Sequence, residues 1–254
     1  KKYFLVLKKN INLEGFNLKM YSIILPCLNE KDNLKLLISE IQNILKNINF
    51  EIIIIDDNSE DGTEKMITEN FSKMQNLMFV KRENKIKSLS KSVLEGMLKA
   101  KNDYIIVMDS DFNHDPNDLL KIIEIQTKHH YDLICCSRFI DKKSNNFVLR
   151  YKLSEYYNLL IKPFLNSKIK DNLSGFFLIN KELLSNLKLN KIFYGYGDYY
   201  FRLLFYLQKK TKKVYEVGIV YNERKFGKSK TKFLKIFLEY TYQAIKLKFY
   251  HEKN

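Results

Sequence analysis

The sequence predicts an α/β domain built on a mostly parallel sheet with helices on both faces. Three observations predict it. Short apolar runs alternate with segments whose apolar residues recur at helical spacing, the pattern of βα units. Two of the runs end abruptly in acids, Asp56-Asp57 and Asp109-Ser110-Asp111, at the carboxyl ends of strands where open sheets bind ligands. The chain of 254 residues is long enough to bury a substantial core as one domain.

The elements follow in order. Tyr21-Ser22-Ile23-Ile24-Leu25-Pro26 is a first strand stopped by proline, and Cys27-Leu28-Asn29-Glu30 follows it. Asp32 or Asn33 caps a helix carrying Leu34, Leu37, Ile38, Ile41, Ile44, Leu45 and Ile48. A second strand over 52–55 ends in Asp56-Asp57-Asn58-Ser59-Glu60-Asp61-Gly62-Thr63, whose Asp-Gly turn feeds a helix start. A strand over 77–80 and a helix over 88–100 repeat the unit. Next comes the run about which the chain is organised, Tyr104-Ile105-Ile106-Val107-Met108-Asp109-Ser110-Asp111. Asp115-Pro116-Asn117 opens a helix over 119–127, before a strand over 133–137.

After Ser137 the rhythm breaks. Leu153, Tyr157, Leu160, Ile161 and Phe164 mark one helix face running to Pro163, and Asp171-Asn172-Leu173-Ser174-Gly175-Phe176-Phe177 is a tight turn into a strand. A short helix from Lys181, a helix over 198–209 and a strand over 214–220 lead to the basic loop Glu223-Arg224-Lys225-Phe226-Gly227-Lys228-Ser229-Lys230. Residues 1–230 form the expected catalytic domain, and 231–254 an amphipathic helical extension.

The acids carry the chemistry. In an extended segment, side chains at i and i+2 point the same way with Cα atoms roughly 6.6 Å apart. Asp109 and Asp111, at an exposed strand end, can thus converge on one cation. Magnesium and manganese take one or two protein carboxylates and fill their shell with water and phosphate oxygens. The plain alternative is a pair of solvated carboxylates, and for Asp57 a turn acid bonded to its own backbone. Arg150, Ser154 and Asn158 lie four apart on one helix face that suits an anion or a solvated polar stripe. The basic loop reads as a lid over phosphates or as a solvated loop.

A net charge of +15 and a pI near 9.4 predict attraction to polyanions: nucleic acid, anionic lipid or nucleotide diphosphates. No arginine-rich arm or nucleic-acid motif is present. Three cysteines, two adjacent in an apolar run, make neither a disulfide framework nor a zinc site and fit a reducing compartment. Residues 1–9 lack the cleavage pattern of a signal peptide, and no stretch approaches the roughly 18–20 apolar residues that span a bilayer. The helix over 232–250 has a wide apolar face and lysine flanks, suited to packing on the domain or to lying on anionic lipid. The expected location is the cytoplasm, peripheral at the cytoplasmic face of a membrane.

Taken together, the chain resembles the family 2 inverting glycosyltransferases, and within them the dolichyl- or polyprenyl-phosphate mannose synthases. The resemblance covers residues 21–230. It rests on Pro26-x-x-Asn29-Glu30, Asp56-Asp57-x-Ser59-x-Asp61-Gly62-Thr63, Asp109-x-Asp111 with His114 and Pro116, Ser137-Arg138, Ser174-Gly175-Phe176 and Arg224-x-x-Gly227-x-Ser229-Lys230. It implies a GT-A type nucleotide-diphospho-sugar transferase fold with a mixed sheet. It also implies transfer of a hexose, mannose from GDP-mannose, to a polyprenyl or dolichyl phosphate with inversion and with Mg²⁺ or Mn²⁺. Pro26, Leu28, Glu30, Ile55 and Asp57 are then implied to line the nucleotide pocket, with Ser110 among the substrate-binding residues. Asp109, Asp111 and Asn113 are implied to hold the metal. Arg138, Arg150 and Ser154 match positions that receive the lipid phosphate, and Arg224 and Lys230 match a loop closing over the donor. The implied partners are therefore a nucleotide sugar, a polyprenyl phosphate and a membrane surface or membrane partner protein, without nucleic acid.

Departures are Leu28 for an aromatic, Asn58 and Ser88 or Ser90 for glycine, Ser110 for alanine, Phe177 for arginine, and the segment Gly195-Tyr196-Gly197-Asp198-Tyr199-Tyr200. The rival reading, a family 2 transferase acting on a cell-surface glycan or other saccharide, needs a carboxylate base, for which Asp198 is the candidate. A non-enzymatic nucleotide-binding protein leaves the paired acids unexplained, since carboxylates repel phosphates unless a cation intervenes.

Overall fold

The structure is a computed structural model that describes residues 19–83, 86–140, 148–226 and 233–250. In chain order, the elements are β1 (Met20–Cys27), α1 (Lys31–Ile44), β2 (Asn49–Asp56), α2 (Thr63–Phe71), β3 (Leu77–Lys81), α3 (Leu89–Lys99), β4 (Tyr104–Val107), α4 (Asp118–His129) and β5 (Leu133–Ser137). They continue with α5 (Val148–Leu165), β6 (Phe177–Asn180), two short 3-10 turns, α6 (Tyr199–Lys210), β7 (Val214–Gly218) and α7 (Phe233–Tyr250). The strands form one sheet in the order β3-β2-β1-β4-β6-β5-β7. β6 is antiparallel to both β4 and β5, and the other pairs are parallel. The sheet is therefore mixed, with β6 inserted where the βα rhythm of the sequence breaks.

Alternation along each strand explains why the runs are apolar throughout. Ile23, Leu25, Ile52, Ile54, Ile106, Ile134 and Cys136 pack on one face against α1, α2 and α4. Ile24, Ile53, Ile55, Ile105, Val107, Leu133 and Cys135 pack on the other, against α3 and α6. A strand covered on both sides has no polar face to show. At Gly96 on α3 an added Cβ would sit 2.4 Å from Ile24 Cγ2, so the helix reaches the sheet only because the side chain is absent.

A third apolar cluster joins α5, α6 and α7 through Ile161, Leu165, Phe201, Phe205, Tyr240, Ala244 and Leu247. α7 thus docks one face on the domain. Its other face stays open: Phe237, Leu238, Tyr242 and Phe249 are exposed. On α5, Leu153, Tyr156 and Leu159 are exposed too, and Tyr157 of α5 packs against Phe237 of α7 with ring centroids 4.9 Å apart. The docked reading of this helix holds for the face that carries Tyr240, Ala244 and Leu247, and the opposite face is open to solvent. Among the described residues no helix is long and apolar enough to cross a membrane.

Candidate active site at the carboxyl edge of the sheet

The run 104–111 is not a strand to its end. β4 stops at Val107, because the backbone N–H of Asp109 turns away from the sheet to Nδ1 of His114, 3.1 Å distant. Ser110 Oγ donates to the Pro26 carbonyl at the end of β1 (2.9 Å), and the next residue but one, Phe112, adopts a left-handed φ of 66°. A non-glycine residue held there costs energy that the surrounding bonds must offset, and such positions cluster at functional sites. Asn29 and Asn58, in the turns after β1 and β2, are left-handed as well.

The two acids occupy different environments. Asp111, expected at an exposed strand end, is instead buried, with Oδ1 accepting from the Asn113 N–H (3.0 Å) and Oδ2 paired with Arg224 Nη2 (2.7 Å). Burial and the neighbouring Asp109 raise its pKa, against the pull of Arg224. Asp109 is crowded by protein atoms, and that crowding pushes its carboxyl up to about 6 while Arg224 and Arg138 oppose the rise. Its side chain nevertheless keeps 37% of its surface open to solvent. Water reaching that open side relieves part of the desolvation. His114 behind it is fully buried, stacked on Phe176, and lowered to about 4 by burial, so it is neutral and accepts through Nδ1.

Arg224 spans the site. Besides Asp111 it reaches Glu30 Oε1 at 3.3 Å, and Glu30 in turn accepts from Asn33 at 2.6 Å. Lys225 lies 3.6 Å above the Phe112 ring and 2.9 Å from Glu40. The start of the basic loop is therefore laid across the acidic edge. Lys230, its other expected phosphate ligand, lies outside the described residues.

The remaining expected residues divide into committed and open ones. Asp57 is buried; Arg82 Nη1 and the Ser88 N–H both donate to its carboxylate. Its local sequence gives no hint of Arg82, which comes from 25 residues downstream. Asp56 is the turn acid, accepting from Ser59 and Cys27. Pro26 is buried at the strand end, Leu28 is partly covered, and the Ile55 side chain lies wholly within the core. Arg138 presents its Nε and Nη2 edge to Asp171 at 2.7 and 2.8 Å. Asn113 donates to the Tyr221 hydroxyl at 2.7 Å. Ser154 is half-buried on α5, while Asn158 turns inward and accepts from the Asn172 N–H (2.7 Å), so it does not share an open anion face. The Arg150 side chain lies outside the described residues.

Asp198 is committed too. It is buried; Arg202 Nη1 donates to Oδ2 and the Tyr196 N–H donates to Oδ1 at 2.9 Å. Sequence reading missed Tyr221, Arg82 and Asp171. Their roles depend on partners 108, 25 and 33 residues away, and no local spacing encodes that.

As donors for a divalent cation, the oxygens of Asp109 and Asp111 fit magnesium or manganese. Among the described residues no group of three or more His, Cys, Asp or Glu side chains is arranged for a metal, so phosphate and water oxygens would complete the shell.

Comparison with known proteins agrees with this geometry. The dolichol-phosphate mannosyltransferase of Pyrococcus furiosus is 34% identical over 231 residues, covering 89% of this chain and 63% of that protein. The dolichol-phosphate mannosyltransferase of Saccharomyces cerevisiae is 30% identical over 176 residues, covering 65% and 62%. The chain thus spans less than two thirds of the length of these two curated relatives. Glucosyl-3-phosphoglycerate synthase from Mycobacterium tuberculosis, crystallised with Mn²⁺, UDP and glucosyl-3-phosphoglycerate, superposes with a TM-score of 0.68 at 18% identity, over 92% of this chain and 81% of that one. The same enzyme with Mg²⁺ and UDP gives 0.67 at 17% identity, over 92% and 80%. The fold is thereby GT-A-like. Since the family model for glycosyl transferase family 2 matches residues 22–188, most of the length and both acidic strand ends, the chain belongs to that family.

Proposed function

We propose that the protein transfers a hexose, mannose from GDP-mannose, to a polyprenyl or dolichyl phosphate, with inversion at the anomeric carbon. The observation that carries the choice of acceptor is the state of Asp198. A saccharide hydroxyl needs a carboxylate base with an accessible oxygen, and both oxygens of Asp198 are engaged in the interior. A phosphate monoester has a second pKa near 6 and arrives largely ionised. Its oxygen can form the new bond to the anomeric carbon while the bond to the nucleoside diphosphate breaks, and the electron pair leaves with the diphosphate. The similarity to dolichol-phosphate mannosyltransferases supports the same sugar and acceptor.

The residues then take distinct parts. Asp109 and Asp111, with Asn113 beside them, would hold Mg²⁺ or Mn²⁺. When bound, the cation neutralises charge developing on the departing diphosphate. Arg224 sits as an internal cation between Asp111 and Glu30. With Asp111 turned to a cation, the Arg224 guanidinium would be left for phosphate oxygens of the donor, and Lys230 is the second cation this loop would supply. Arg138, oriented by Asp171, would receive the acceptor phosphate, with Arg150 and Ser154 completing that end. The open apolar faces of α5 and α7 meet the lipid surface from which the acceptor is drawn, so the protein works as a peripheral domain at the cytoplasmic face of a membrane.

One experiment separates the readings: incubation of the protein and Mn²⁺ with labelled GDP-mannose or UDP-glucose, together with polyprenyl phosphate or free sugars. The expected product is a lipid-phosphate mannoside whose formation stops in chelator. Label appearing only in a soluble saccharide would overturn the proposed acceptor, and label from UDP-glucose alone the proposed donor.

A further inference from the structure

The turn Tyr194-Gly195-Tyr196-Gly197-Asp198 ahead of α6 is fastened more heavily than its length requires. Arg202, itself fully buried, donates through Nη2 to the Tyr194 carbonyl, through Nη1 to Asp198 and through Nε to the Ile192 carbonyl (2.8 Å). Its guanidinium also lies 3.7 Å above the Tyr194 ring. Ser88 and Ser90 on the far side of the turn donate to the Gly195 carbonyl at 3.2 and 3.1 Å. Gly195 has a left-handed φ of +71°, and a Cβ on Gly197 would lie 2.6 Å from the Tyr240 hydroxyl. Larger residues fit neither position.

A buried Arg–Asp pair adds little to stability compared with an apolar replacement, because desolvation offsets its attraction. What it does supply here is geometric definition. The carbonyls of Tyr194, Gly195 and Gly197 and the N–H of Tyr196 are all held, yet the Tyr196 side chain is 44% exposed. Its phenol stands among the site's charges: burial first, then Asp109, act to raise its pKa, Asp111 and Glu30 add to this, and Arg224 opposes. The fastening also runs to the nucleotide end. Ser88, which holds Gly195, gives its N–H to Asp57. An aromatic carried on a turn fastened to the Asp57 end through Ser88, with its own ring left open, is the arrangement expected of a ligand contact, since sites are built on rigidly held elements.

We propose that Tyr196 binds the glycosyl ring of the donor, with the pinned turn holding its phenol against the sugar beside the diphosphate. The inference rests on the nucleotide-sugar reading of the site. The sugar hangs one bond beyond the outer phosphate, so a donor whose diphosphate lies at Asp109 carries its ring into the region of this phenol. Tyrosine suits the task, because its face packs on the C–H surface of a sugar and its hydroxyl bonds to sugar hydroxyls.

The test is calorimetric, with GDP-mannose and GDP as probes in Mn²⁺. Tyr196→Ala is expected to weaken GDP-mannose by about tenfold, the loss of one aromatic contact with its hydrogen bond, while GDP binding stays within about twofold. Tyr196→Phe is expected to fall between wild type and Tyr196→Ala, and both variants to melt at the wild-type temperature because the side chain is exposed. Equal weakening of both probes would assign Tyr196 to the nucleoside diphosphate, and unchanged GDP-mannose binding would remove it from the site; either overturns the inference. If the wild type binds neither GDP-mannose, UDP-glucose nor GDP, the nucleotide-sugar reading itself fails and takes the inference with it.

Discussion

At the scale of single residues, the site is built from charges that hold one another. Asp111 is the most constrained, bonded to the Asn113 N–H and to Arg224. Asp111→Asn keeps an oxygen for the Asn113 N–H but gives up the charge paired with Arg224, which retains Glu30, so unfolding free energy should fall by about 1 to 3 kcal/mol and the variant still fold. Turnover should fall by about two to three orders of magnitude as stabilisation of the leaving diphosphate is lost. Near-normal turnover in a folded variant, measured by product formation beside a thermal melt, would falsify the assignment. His114 carries a second prediction. Its pKa is lowered to about 4 by burial, against an ordinary value near 6.5. A depressed histidine favours the neutral form, so its stabilisation is complete above pH 6.5 and is lost as pH falls from there towards 4. By pH 4.5 the loss is about 2 to 3 kcal/mol. Asp109 shifts upward and works in the opposite sense, so the wild type alone does not isolate the histidine. Urea unfolding of wild type and His114→Gln at pH 7 and 4.5 does: the wild type should lose more stability on acidification than the variant, and equal losses would remove His114 as the cause.

At the scale of elements, α7 has two apolar faces with different work. Tyr240, Ala244 and Leu247 are buried against α5 and α6, whereas Phe237 and Leu238 are 42% and 62% exposed. Replacing Phe237 and Leu238 together by Ser should therefore cost little stability, about 1 kcal/mol, part of it from the lost Tyr157 contact. Tyr240→Ala, by contrast, should cost about 3 kcal/mol or more. If the open face rests on lipid, the double Ser variant should lose flotation with anionic vesicles while melting close to wild type. A wild type that never floats would leave the face to a partner protein.

At the scale of the whole molecule, charge is divided. The chain carries +15 overall, yet Glu30, Asp56, Asp57, Asp109 and Asp111 all gather at one sheet edge. Local negative charge on a positive body would favour a cation at the site, and a net positive surface would favour anionic lipid if the proposed membrane contact is made. The same flotation assay, repeated with rising salt, should weaken as screening shortens the range of that attraction to about 8 Å at physiological ionic strength.

The sequence by itself determined the elements and the acidic edge. Uninterrupted apolar runs such as Ile52-Ile53-Ile54-Ile55, short and β-branched, read best as strands buried on both faces, and the acids that end them lie at one edge because parallel strands share a direction. The place of Asp109 and Asp111 was legible for that reason, and so was the wide apolar face of the last helix, whereas its docking on the domain was left open by the pattern and decided by the fold. What only the tertiary structure decided is which charges are available. Arg138, Asp57 and Asp198 look alike in the sequence as polar residues near a site, but each is answered by a partner that the fold brings from elsewhere: Asp171, Arg82 and Arg202. The short run of β6 has no directional signal of its own, and only the family resemblance implied the mixed sheet that its antiparallel pairing makes; the end of β4, set by His114, had no signal at all. Periodicity records which side of an element faces the core; pairing between buried charges depends on contacts across the fold, and no local pattern carries it.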